Sequence, residues 1–417
     1  MSAGKPHAFL TAYGGGHISM VLPVCKALRE RGWKVTLLAL TTAATKAAQA
    51  GEPYIGYADL MHHAAPNALA FADRLCPNLD PNGPVSIKET LAYHGANFAD
   101  LVETNDEACA WQRWKNDSRQ AFLPVNFMRR VLAEISPDIV IATNSPRTER
   151  AAIIAAGELG IPALCMVDMF ALQEVKWIGQ PGFADRVTVL NEAVRQMFID
   201  HGRRPEDVVM TGNPAFDVIN AQSTIAAGQA LRKTRKWDDG CLNILWASTV
   251  EPHRHPFTGE VGDPELPRRV EAHLREIVGR NQNLRLIVRY HPSENITFEP
   301  AQNIELSPVD EPLHAVLHAV DAVVVTASTV GLEAWLARRP VLSVDGSVFT
   351  ADAPFAKMGI AQGVSALEKL ADLLQDMAGK QIAFPLSGQL SPPSLSATAK
   401  DAVVMEIEKI SRIQRSV

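Results

Sequence analysis

One pattern occurs twice in this chain, and it narrows the possible folds more than any other feature. Near the N-terminus, the apolar run His7-Ala-Phe-Leu-Thr-Ala12 leads through Tyr13 into Gly14, Gly15, Gly16 and His17. More than 300 residues later, Asp321-Ala-Val-Val-Val325 leads into a hydroxyl-rich loop, Thr326-Ala-Ser328-Thr329, and then into a segment carrying Gly331 and Glu333. Each reads as a strand–loop–helix junction, where a parallel sheet places its ligands. One junction in each half implies two similar domains facing each other across a cleft.

The rest of the chain fits that frame. Apolar runs alternate with amphipathic segments throughout, as in repeated βαβ units. Strands are predicted at 7–12, 34–40, 138–143, 162–167, 186–191, 243–247, 284–290, 322–325 and 340–344. Ile18 to Arg31 has Ile18, Val21, Leu22, Cys25 and Leu28 on one face, the spacing of a helix. At 417 residues the chain is too long for one ordinary core and fits two domains of about 200 residues each. We expect a first domain over 1–220, a linker over 221–240, a second domain over 241–390, and a C-terminal helix within 391–417 that packs back on the first domain. Residues 52–125 break the strand–helix rhythm and read as an insertion or lid.

Composition excludes several classes. A net charge of −6 offers no excess of basic residues for phosphates, so nucleic acid is not the main partner. The five cysteines are scattered, with no C-x-x-C pair and no zinc-ligand spacing. With no apparent signal peptide, this points to a reducing cytoplasm. No uncharged apolar stretch reaches the ~18 residues of a membrane span. The C-terminal helix carries Lys409, Arg412 and Arg415, so a peripheral contact with the inner face of a membrane is possible.

In the second half, unpaired backbone N–H groups at the helix start after Val325 would make an anion site. Thr326, Ser328 and Thr329 add hydroxyls, Gly331 allows a ligand close, and a carboxylate at Glu333 can accept the hydroxyls of a ribose. The alternative for Glu333 is a helix cap, although its spacing from Ser328 and Thr329 misses the capping box. Arg289-Tyr-His291-Pro-Ser-Glu294 ends another strand and sets His291 toward the same cleft, where it can donate to a phosphate oxygen; a surface histidine is the alternative. Ser248 and Thr249 follow the first strand of this half and could hold a phosphate or cap a helix, and Arg254 could pair with a phosphate. His253 and His255 lack a carboxylate at ligand spacing, so no metal site is expected.

In the first half, Gly15 and Gly16 permit close backbone approach, but the loop is neither G-x-G-x-x-G nor a P-loop. His17 is a candidate general base for an acceptor hydroxyl, an anchor for a bound sugar, or simply a structural histidine. Asp168, after the run Leu164 to Val167, reaches the same cleft. Thr211-Gly-Asn-Pro214 reads as a hinge turn or cleft wall, and Arg147 as a cleft-edge or solvated arginine.

Together these stretches resemble the GT-B fold of nucleotide-sugar glycosyltransferases and the related non-hydrolysing UDP-N-acetylglucosamine 2-epimerases. Gly14-Gly-Gly-His17 with a helix ending at Arg31-Gly32 is similar to the opening of the peptidoglycan N-acetylglucosaminyltransferases. Asp321 to Pro340, continuing to Asp345-Gly346, resembles the donor-binding region of bacterial capsule and lipopolysaccharide transferases. His291-Pro292 followed by Ser328-Thr329 matches the order seen in those that use CMP-linked sugars, and the resemblance assigns these residues to the donor's phosphate and nucleoside. Thr211-Gly-Asn213 and His253-Arg254 resemble the epimerases. Yet the chain reads Ala142-Thr-Asn-Ser-Pro146 and Met166-Val-Asp-Met-Phe170 where the epimerases' acid-bearing signatures would stand.

The expectation is therefore a metal-independent glycosyltransferase without a cofactor, with His17 and Asp168 as catalytic groups. It would move a sugar from a UDP- or CMP-linked donor to a glycan, a lipid-linked acceptor or a small molecule. The alternatives are an epimerase-like isomerase and a non-catalytic nucleotide-sugar-binding protein.

Overall fold

The computed structural model describes residues 5–238, 240–256, 258–379, 384–392 and 398–415. The chain divides into two compact units: Met1–Ala215 together with Leu395–Val417, and Phe216–Ser394.

The first unit is built on a parallel six-stranded sheet. Its strands are β1 (His7–Tyr13), β2 (Lys34–Leu40), β3 (Ile139–Thr143), β4 (Ala163–Met166), β5 (Arg186–Val189) and β6 (Val208–Met210), in the spatial order β2-β1-β3-β4-β5-β6. β1 and β3 are buried almost along their whole length, so they show no in–out alternation, as expected of strands covered on both faces. The helix Gly14–Glu30 buries Ile18, Val21, Cys25 and Leu28. It begins a turn earlier than the apolar spacing indicates, because the glycines themselves form its first turn.

Residues 52–125, read from sequence as an insertion or lid, fold into helices, among them the 18-residue Ile87–Thr104, around an aromatic core. Tyr57 stacks on Phe127 with ring centroids 4.9 Å apart, and Phe98 packs on Trp111 at 4.3 Å. The Tyr57 hydroxyl hydrogen bonds Thr148 Oγ1 (2.8 Å), tying this region to the helix Thr148–Glu158 behind β3. Inside it, Asp100 is 1% exposed and accepts the Phe127 N–H at 2.5 Å.

The last helix, Ala399–Arg415, sends Val403, Val404, Ile407 and Ile410 into the core of this unit beside Ile18, Leu28 and Val35. Lys409 is paired with Glu406. The side chains of Arg412 and Arg415, which the possible lipid contact also invoked, lie outside the described residues. No helix among the described residues is long and apolar enough to cross a membrane.

The second unit repeats the plan with β7 (Leu242–Ala247), β8 (Leu284–Arg289), β9 (Ile304–Leu306), β10 (Ala322–Val325), β11 (Val341–Val344) and β12 (Gln362–Val364), all parallel, in the order β12-β11-β10-β7-β8-β9. The segment expected as a linker is here the helix Gln222–Thr234, seated on the helix Leu313–Ala319. Two features hold it there. Arg232 donates to the Ala319 carbonyl (2.8 Å) and to Asp321 (2.7 Å), and Gly228 lets the helices touch. A Cβ on Gly228 would fall 2.3 Å from His318 Cβ and 2.8 Å from the Ala315 carbonyl oxygen. Replacing Gly228 with alanine is expected to destabilise this unit by about 1–3 kcal/mol through overpacking. Urea titration should show a lower midpoint with an unchanged m-value.

Candidate active site

In open parallel sheets, ligands bind beyond the carboxyl ends of the strands, where the strand order reverses. In the first unit that point lies between β1 and β3. β1 runs into Gly14, whose φ of +78° belongs to the left-handed region that glycine adopts without strain. Space beside Gly16 is open, whereas Gly15 lies under Lys46, whose Nζ donates to the Gly15 carbonyl at 2.7 Å.

His17 follows in the first turns of the helix. Its Nδ1 lies 2.5 Å from Thr143 Oγ1 at the end of β3. Its Nε2 faces Asp168 Oδ2 at 3.6 Å, and both side chains are partly exposed, 22% and 32% respectively. That separation is too long for a good hydrogen bond, so the ring edge stays accessible to a reacting group. The Asp168 backbone is clamped. Its N–H donates to Asn144 Oδ1 (3.0 Å), its carbonyl accepts from Asn213 Nδ2 (2.6 Å), and its Oδ1 accepts from the Met169 N–H (2.6 Å). Loops after β1, β3, β4 and β6 thus converge on one histidine–aspartate pair.

Two further carboxyls stand near this pair, and neither was singled out as a site residue from the sequence. Glu149, at the start of the helix behind β3, is completely buried, and neither of its carboxyl oxygens makes a well-formed hydrogen bond. Burial pushes its pKa up, opposed by the His17 ring and by the backbone amides of Glu149 and Tyr13. Glu174, half-buried, is also raised, chiefly by desolvation and then by the Asp168 charge. Carboxyls held toward their neutral form can give up a proton as well as take one. Glu149 had one visible signal: an acid opening a helix otherwise rich in alanine and isoleucine. Glu174 had none. Arg147, read as a cleft-edge residue, stacks on the Tyr13 ring at 4.8 Å. Tyr13 also borders a cavity of about 100 Å³ shared with Thr41, Tyr93, His94 and Arg119.

In the second unit the order reverses between β7 and β10, and most of the expected hydroxyls lie there. Thr326 follows β10, buried, with its Oγ1 unpartnered. The Ser328 hydroxyl accepts only a long 3.4 Å bond from the Val330 N–H, and Thr329 is exposed with no capping bond. Thr249 is half-buried just beyond β7. Ser248 is already engaged: it accepts from Arg268 (2.6 Å) and donates to Glu294 (3.0 Å). Glu294 also accepts the His291 N–H (2.7 Å), and His291 Nδ1 accepts from the Ser293 N–H (3.1 Å), which leaves exposed Nε2 as the donor of a neutral ring. Arg268 and Glu294 shape this corner and were not read as site residues.

Besides Ser248, three more of the expected donor-binding residues have contacts within the protein. Gly331 provides packing, since a Cβ there would lie 2.9 Å from Val325 and 3.2 Å from Phe355. Glu333 pairs with His314 Nε2 at 2.7 Å. Arg254 is exposed, further along the loop that carries Ser248 and Thr249, and is bonded to the Gly259 carbonyl. His255 is bonded to Asp352 (2.8 Å) and to the Thr258 N–H, and is not paired with His253.

No protein-family model matches the chain, and no curated protein matches it. Solved structures do match. One is the UDP-GlcNAc 2-epimerase from Methanocaldococcus jannaschii, at TM-score 0.54 and 12% identity over 97% of this chain and 99% of that one. Another is the UDP-GlcNAc 2-epimerase from Neisseria meningitidis bound to UDP-GlcNAc, at TM-score 0.53 and 13% identity over 97% and 100%. A third is the glycotransferase of kitacinnamycin, at TM-score 0.50 and 13% identity over 91% and 92%. The fold is thus of the GT-B type, a pair of Rossmann-like parallel-sheet domains structurally related to the UDP-GlcNAc 2-epimerases.

Proposed function

We propose that this chain is an enzyme of nucleotide sugars, and that its first unit moves a proton on the sugar, as in an epimerase-like isomerisation. The observation that carries the reading is the gathering of His17, Asp168, Glu149 and Glu174 at the strand-order reversal of the first sheet. The two stretches where the epimerases carry acid-bearing signatures hold only Asp168 here, and the buried Glu149 and half-buried Glu174 lie outside them. Isomerisation at a ring carbon requires one group to remove a proton and another to return it. A partly exposed imidazole beside an aspartate, with two carboxyls whose pKa burial raises, suits that need. The second unit's part is the nucleotide phosphate, through Thr326, Ser328, Thr329 and His291.

Glycosyl transfer is the second reading. It is favoured by the His17–Asp168 pair, which can serve as a base for an acceptor hydroxyl, and by the small cavity at Tyr13.

Incubation with UDP-N-acetylglucosamine alone in D2O, followed by proton NMR, tests the proposal. Deuterium at a ring carbon together with a changed sugar configuration supports isomerisation. An inert donor that releases UDP only once a hydroxyl acceptor is added supports transfer. Tight binding of UDP without turnover under either condition would leave a non-catalytic binder and overturn both.

A further inference from the structure

We propose that His62, His63 and Glu134 form a divalent-metal site, suited to Zn²⁺, in the first unit. This rests on a different set of residues from the proposed function. The 3-10 turn Met61–His63 carries two adjacent imidazoles, and the helix Val125–Ile135 carries Glu134 opposite them. The ligand atoms of all three lie within 4.8 Å of one another. His62 Nε2 stands 3.5 Å from Glu134 Oε1, and His63 Nε2 stands 3.5 Å from Glu134 Oε2.

Those distances are long for hydrogen bonds between a ring N–H and a carboxylate. They match the spacing of atoms sharing a tetrahedral ion: two ligands at about 2.0–2.1 Å from zinc sit about 3.3 Å apart. A second observation points the same way. His63 is only 7% exposed, and its Nε2 has no hydrogen-bond partner. A buried ring nitrogen without a partner is costly unless something binds it.

The donor set selects the ion. Two imidazoles and one carboxylate suit zinc over magnesium or calcium, which prefer all-oxygen shells. Three protein ligands leave the fourth position to solvent. Arg130 is the cation beside the site. Its Nε donates to the His63 carbonyl (2.6 Å), and its charge is already matched by both oxygens of Glu103 (2.9 and 3.0 Å). A bound ion would fasten the turn to the helix that leads into β3.

The test is equilibrium dialysis of chelator-treated full-length protein against Zn²⁺, read by metal analysis, with X-ray absorption on the loaded sample. Wild type should take up one ion per chain in a shell of nitrogen and oxygen only. His62→Ala and Glu134→Gln alter exposed side chains, so each should keep its circular dichroism spectrum and its melting point in chelator while zinc affinity falls at least ~10-fold. Three results would each overturn the proposal: no uptake by wild type, sulfur in the shell (Cys76, Cys109 and Cys241 are accessible enough to supply it), or undiminished uptake by the double variant.

Discussion

Changing His17 to alanine should lower kcat for nucleotide-sugar turnover by about 10²–10⁴-fold, the range for loss of a positioned acid–base group. The melting point should move little, because the side chain is partly exposed and its one close hydrogen bond is to the Thr143 hydroxyl. Asp168→Asn keeps the clamped backbone and removes only the charge facing Nε2, so it should cost less than the histidine change. The two effects should also be less than additive, since the proposed function has both residues act on one proton. Steady-state kinetics on the single and double variants measures this. A His17→Ala enzyme within twofold of wild type would show that the base lies elsewhere. Equal losses of activity and stability would mark the histidine as structural.

The second large effect concerns pH. Burial lifts the Asp100 carboxyl from its ordinary 3.8 to about 7, with the Phe127 N–H and, more weakly, Arg130 and Arg129 opposing the rise and Glu103 adding to it. The folded state therefore holds this proton more tightly than the unfolded chain does. Stability from this group is complete below about pH 4 and is lost as pH climbs through about 7. A shift of that size corresponds to about 4 kcal/mol. Asp100→Asn keeps an oxygen for the Phe127 amide and cannot ionise. It should stabilise the protein by about 2–4 kcal/mol at pH 8 and change it little at pH 4. Urea unfolding at the two pH values decides the matter. A variant equally affected at both, or destabilised only at pH 8, contradicts the assignment.

The fold was legible in the sequence to an unusual degree for physical reasons. Strands covered on both faces, such as Ile139–Thr143 and Ala322–Val325, are nearly continuous apolar runs that cannot be confused with solvated helices. The three-residue strands β6, β9 and β12 were not visible, since so short a run carries no period. The glycine-rich helix start was read too late because glycine lowers helix propensity while still fitting the first turn. At the site, residues lying directly beyond a strand were foreseeable. His17, Asp168, Thr326 and Ser328 announce themselves by position. Glu149 and Glu174 reach the cluster only through tertiary packing. Gly331 and Glu333 sit where a ligand contact is expected, and the contacts that sequence could not show there are packing against Phe355 and pairing with His314. The metal-ligand trio was invisible because about seventy residues separate its members (63 and 134).

The closing helix has a bearing on biosynthesis. Val403, Val404, Ile407 and Ile410 complete a core whose other members are mostly made far earlier, among them Ile18, Leu28 and Val35. A nascent polypeptide must therefore finish all of Phe216–Ser394 before the opening half can seal. Until then an oily seam on the helix Gly14–Glu30 stands uncovered on the ribosome. Truncation at the end of the second unit should yield not a stable half-molecule but one prone to aggregate through that seam.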